Sequence, residues 1–144
     1  ALGYGFGRWA ENRHYKSIIE REAKLNSIPA IASRFPPVGK KHELELVMGS
    51  VVISIDYFKR FLATLRNLFG GGVTSYETLL DRARREALLR MKEEARKKNA
   101  KMVFNIKYET ASISKGSRDT IGCVEILAYG TALISPKIAG IPPR

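Results

Sequence analysis

Cysteine is almost missing from this 144-residue chain. Cys123 stands alone, so no internal disulfide can form and the fold must rest on a packed core. That usage suits a reducing compartment. Histidine occurs only twice, and no two of His14, His42 and Cys123 show the close spacing of a zinc or copper site. No run approaches the ~18 apolar residues of a membrane-spanning helix. The sequences G-x-S-x-G, H-E-x-x-H, G-x-x-x-x-G-K-[ST] and G-x-G-x-x-G do not occur. Without a nucleophile, base and oxyanion donor that can be named together, the chain reads as non-enzymatic and with no certain cofactor.

Positive charge, by contrast, is abundant. The net charge is +11, and it is uneven: residues 1–41 carry 8 basic and 3 acidic side chains, whereas residues 42–70 carry 3 of each. Such a field attracts anionic partners without choosing among nucleic acid, acidic protein and lipid. Ala1 to Gly7, small and apolar, run into Arg8, Trp9, Arg13 and Lys16. This reads like the end of a membrane helix followed by an interfacial aromatic and a cytoplasmic basic flank; a merely disordered terminus is the plainer alternative.

The stretch from Gly70 to Ser114 organises the chain. After the glycines, Thr74 and Glu77 fit a capping box. Tyr76, Leu80, Ala83, Ala87, Met91 and Ala95 then recur at steps of three or four, which puts them on one buried helix face. Arg96, Lys97 and Lys98 suit the last turn, and Asn99 can take a left-handed cap. Beyond it Met102, Phe104, Ile106 and Tyr108 alternate with Val103, Asn105, Lys107 and Glu109, which predicts a strand with the first set facing the core.

The remaining elements follow the same logic. Trp9 to Asn26 predicts a helix with a broken apolar stripe, closed by Pro29. Ala30 to Arg34 suits a short edge strand. Lys41 to Ile55 alternates but is interrupted at Gly49, which predicts two short strands or one bent at a bulge. Asp56 to Phe69 is a strongly apolar helix. In the last strand, Ile121 to Ile134, one face carries Val124, Ile126, Ala128, Ala132 and Ile134. The other carries Cys123, Glu125, Leu127, Tyr129 and Thr131, a mixed surface that suggests cover by a neighbouring strand or subunit. The expected fold is α+β, an antiparallel sheet with two helices packed on it. Its divisions are residues 1–37 as a basic helical extension, 38–135 as the domain and 136–144 as a tail.

Few groups could carry chemistry. Gly71, Gly72 and Thr74 at a helix start could hold an anion, though without a following Lys-Ser/Thr a simple turn is the commoner use. Cys123 and Glu125 could ligate a heavy-metal ion if several subunits met about an axis; a buried reduced thiol is the bland reading. Glu86–Arg90, Glu93–Lys97 and Glu94–Lys98 lie four apart, which predicts a solvated, self-paired helix face.

From Val51 to Ile134 the residues resemble the YbjQ-like family, whose label is heavy-metal binding: LRNLFGGG, then SYETLLDRARREAL, then Tyr108-Glu109-Thr110, then Tyr129-Gly130-Thr131-Ala132. The resemblance implies an α+β fold and ring-shaped pentamers, with no established activity. Arg13-His14-Tyr15 looks like the basic stretch that follows a membrane helix in some members. The resulting expectation is a homo-oligomeric binding or scaffold domain on the cytoplasmic side of a bacterial inner membrane, with metal at subunit contacts. The alternative is a basic adaptor for anionic lipid or, less favoured, nucleic acid.

Overall fold

A computed structural model describes residues 2–36, 42–54, 74–114 and 121–136. It contains helix α1 (Leu2–Leu25), strand β1 (Glu43–Ser54), helix α2 (Thr74–Lys97), and strands β2 (Ala100–Ser114) and β3 (Ile121–Ile134). The fold is α+β. The sheet order is β1-β3-β2, antiparallel throughout. The apolar helix expected over 56–69 and the glycine turn at Gly71 and Gly72 lie outside the described residues.

The core forms where the helical period of α2 meets the period of two in the sheet. Ala83, Ala87, Met91 and Ala95 from α2 pack on Val47, Val103, Ile126, Ala128, Ala132 and Ile134, with Leu80 partly buried beside them. Small residues on the helix let it lie close to the strands. At Gly49 the approach is closest: a Cβ there would stand 2.4 Å from both the Ala87 carbonyl oxygen and the Met91 nitrogen. Gly49 therefore introduces no bulge, and β1 pairs with β3 in one unbroken register from Glu43 opposite Ile134 to Ser54 opposite Cys123.

The α2 to β2 connection follows the sequence closely. Lys98 N–H is still donated to the carbonyls of Glu94 and Ala95, and Asn99 turns the chain at φ 57°. The facing of β2 does not. Val103, opposite Ala132, is fully buried against the core, whereas Phe104 lies opposite Thr131 on the other side of the sheet. Asn105, at φ 54°, and Ile106 together face the single residue Gly130 before Lys107 resumes the pairing opposite Tyr129. This bulge reverses the parity. Tyr108, opposite Ala128, is on the side of the sheet that α2 covers and yet remains exposed. The expected set Met102, Phe104, Ile106 and Tyr108 therefore does not share one face: Phe104 is buried on the side away from Val103, whereas beyond the inserted residue Ile106 packs against the core and Tyr108 lies on the α2 side, as expected.

The N-terminal helix begins at Leu2, ahead of the expected Trp9, and no described helix is long and apolar enough to cross a membrane. After α1 the chain lines the outer edge of β2 in parallel. Ile31 N–H donates to the Val103 carbonyl (3.0 Å), Val103 N–H to the Pro29 carbonyl (2.9 Å) and Asn105 N–H to the Ser33 carbonyl (2.9 Å). Proline is tolerated because only its carbonyl is used.

Candidate functional site

Alternation along β1 splits its side chains between two environments. Val47, Gly49, Val51 and Ile53 turn towards α2. Leu44, Leu46, Met48 and Val52 turn the other way, where Leu46 and Val52 are each 58% exposed and Met48 47%. On β3 the neighbours of this row are Tyr129 opposite Met48, Leu127 opposite Ser50, Glu125 opposite Val52 and Cys123 opposite Ser54, all half-buried. Four large apolar side chains in line on an exposed face are uncommon, because single exposed apolar residues need no partner but a contiguous patch does. Tyr129 donates a long hydrogen bond (3.4 Å) to Glu109 Oε1 across the same face.

Cys123 and Glu125 therefore share this apolar face, two residues apart on β3. Among the described residues no group of three or more His, Cys, Asp or Glu side chains could hold a metal ion. His42 precedes β1 at the end opposite Cys123, roughly 35–40 Å away along a twelve-residue strand. His14 lies on α1 beside the helix–helix seam. Partial burial there, then the Arg82 guanidinium, lower its pKa from the ordinary value, and Glu86 opposes them. The three soft ligands are dispersed. Of the remaining expected site residues, Thr74 opens α2, Arg8 and Trp9 lie in the backbone of α1, and Arg13 and Lys16 are exposed on that helix.

The α1–α2 seam holds what the sequence did not reveal. Ile18 and Leu25 of α1 bury against Leu89 of α2, and ion pairs flank them. Arg21 Nη1 donates to both Glu86 oxygens at 2.9 Å, and Arg21 Nε to Glu93 Oε1 at 2.7 Å. Arg85 grips Glu22 through two bonds of 2.8 and 2.7 Å. The Arg82 guanidinium stacks on the Tyr15 ring at 4.8 Å. These pairings, Tyr15 with Arg82, then Arg21 with Glu86 and Glu93, make the two helices parallel. Glu86 is 5% exposed and also accepts from Arg90 Nε at 3.0 Å. Burial alone would raise its pKa, but the guanidiniums of Arg21 and Arg90 outweigh that and hold its carboxyl below the usual range. The expected solvated, self-paired face is corrected here: Glu86 keeps its bond to Arg90, but Glu93 turns to α1, while Glu94 and Lys98 turn to β1.

A helix-backed antiparallel sheet with an exposed apolar face defines a small α+β domain. The sequence model of the family described as "Putative heavy-metal-binding" (YbjQ-like) matches residues 33–135, and the chain belongs to that family. A UPF0145 protein of Hahella chejuensis is 42% identical over 94 residues, 65% of this chain and 84% of that one. Another from Clostridium novyi is 38% identical over 96 residues, 66% of this chain and 87% of that one. A third from Thermus thermophilus is 43% identical over 90 residues, 62% and 74% of the two chains. A solved structure of a protein of unknown function from Pediococcus pentosaceus, assigned to the DUF74 family, aligns over 76% of this chain and 98% of its own. Its identity is 11% and its TM-score 0.33, too low to inform the fold. The family match begins at residue 33, after α1.

Proposed function

We propose that this chain is a non-enzymatic, homo-oligomeric binding or scaffold domain whose subunits meet through the apolar face of the sheet. The observation that carries this is the exposed row Leu44, Leu46, Met48 and Val52. Each is already about half buried, so covering the remainder contributes about 1 kcal/mol per side chain, and the four together favour a contact on this face. A ring of copies, as the family resemblance implies, would bring Cys123 and Glu125 of each subunit to the contacts, because both share that face. A heavy-metal ion there would draw thiolate and carboxylate from symmetry-related chains, which reconciles the family label with the lack of a ligand cluster within one described chain.

The basic helix α1, with Lys16 exposed, supports placement of this assembly at an anionic membrane surface on the cytoplasmic side. The adaptor alternative, in which the excess charge itself binds nucleic acid or lipid, is weaker. Arg21, Arg85, Arg90 and Lys98 are each committed to a carboxylate within the chain.

Native mass spectrometry with and without zinc or copper tests both parts. The unmodified protein is expected as a defined oligomer, Leu46→Glu as a folded monomer, and metal adducts are expected to vanish in Cys123→Ser. A monomer at tens of micromolar for the unmodified chain would overturn the assembly; a ring without adducts would remove the metal.

A further inference from the structure

The outer edge of β1 is the place where the sheet could be extended, since no described strand lies beyond it. An edge of twelve residues that no described strand pairs, with β-branched and apolar side chains, is a template for another strand. In a strand the N–H and C=O of one residue point to the same side. Pairing with β3 therefore uses alternate residues, and Met48 and Ser50 point their backbone groups outward.

Those groups are already taken. Glu94 Oε2 accepts the Met48 N–H at 2.8 Å, and Arg90 Nη1 donates to the Ser50 carbonyl at 2.8 Å. One turn further, Lys98 Nζ lies 2.6 Å from Glu45 Oε2. Arg90, Glu94 and Lys98 are spaced by four on α2 and meet Ser50, Met48 and Glu45 in descending order, so one stripe of the helix tracks the strand antiparallel to it. The cause is Gly49. Its missing Cβ lets the helix backbone rest directly on the outermost strand, and the side chains flanking the contact consequently reach over the edge.

We propose that Arg90 and Glu94 are a guard on the outer edge of β1, closing its centre to strand addition so that partners of this chain meet the sheet through its face. Glu86 steadies the guard by accepting from Arg90 Nε, and Arg21 of α1 holds Glu86 in turn. The inference stands whether or not the apolar face is a subunit contact, because it concerns a different side of β1.

Residue-resolved hydrogen exchange reads the guard directly. In the unmodified protein the Met48 amide, although aimed away from β3, should exchange as slowly as its bonded neighbours in β1. Glu94→Ala should speed it by about tenfold, the expected loss of a hydrogen bond to a charged acceptor, while Glu94→Gln, which keeps an acceptor oxygen, should stay close to the unmodified rate. A Met48 rate unmoved by Glu94→Ala overturns the proposal. The consequence is read separately by sedimentation and amide I infrared spectra of Arg90→Ala with Glu94→Ala. This variant should gain concentration-dependent larger species with an intermolecular strand band. If it folds and shows neither, the edge needs no guard and the proposal fails; if it does not fold, the exchange result for Glu94→Ala decides.

Discussion

Helix α2 has two working sides, and they are held by different physics. Towards the sheet it presents Ala83, Ala87, Met91 and Ala95, all buried among apolar side chains. Towards α1 it presents Arg82, Arg85, Glu86, Leu89 and Glu93, where three buried apolar residues sit inside a frame of ion pairs. Burial on the first side scales with area and does not depend on the protonation of any group. Attraction on the second depends on charge state, and its exposed pairs, such as Arg85 with Glu22, contribute little each. The sheet side should therefore unfold with the domain, whereas the α1 side should be able to open alone.

The largest test of that contrast is Gly49→Ala. Its Cβ would meet backbone atoms of α2 at 2.4 Å, and backbone cannot rotate out of the way as a side chain can. We expect a loss of about 3 kcal/mol in global stability by chemical denaturation, with the transition remaining single. A loss under about 1 kcal/mol would show that the helix can lift from β1 at little cost.

Next in size is Arg21→Ala. It removes three hydrogen bonds at once and leaves the buried Glu86 with Arg90 alone. About 2 kcal/mol of α1 docking should be lost, read as faster amide exchange and proteolysis within α1 while the exchange of β3 is unchanged. Equal acceleration in α1 and β3 would mean that the two sides of α2 are one cooperative unit.

The same contrast explains what the sequence disclosed. The sheet side of α2 is written as a 3.6-residue period, the cap at Asn99 as a single permissive residue, and the β3 faces as strict alternation; each is a local pattern that the structure bears out. The facing of β2 was hidden because a bulge at Asn105 and Ile106 leaves no local mark beyond an asparagine able to adopt a left-handed φ. The α1 seam was hidden for another reason. Glu86, Glu93 and Glu94 each have a basic residue four positions on, so local rules pair them along the helix. Their choice of Arg21 and the Met48 amide depends on which elements fold against α2, and spacing along the chain carries no record of that. Cys123 and Glu125 show the same limit for the candidate site. Alternation puts them on one face, but what completes a ligand set lies outside their own strand.

Acid should separate the two sides of α2 most gently, and in a defined order. His14 has a lowered pKa in the folded chain, through partial burial and then the Arg82 guanidinium, with Arg21 and Arg90 adding to it and Glu86 opposing. A histidine that resists protonation when folded gains protons more readily when unfolded. Its contribution is thus complete above the ordinary value of 6.5 and begins to be lost as pH falls below it. Glu86 and Glu22 behave differently. Arg21 and Arg90 hold down the first against its burial, and Arg85 the second, so their contribution is complete above about 4.5 and is lost only as pH falls through their depressed values. Docking of α1 should weaken slightly below about pH 6.5 and steeply below the ordinary carboxylate range, with β3 still protected after α1 has opened. His14→Gln should erase the first step and leave the second. A single step common to α1 and β3, unaffected by His14→Gln, would show that the ion-paired seam has no independent equilibrium and that α2 is clamped from both sides as one body.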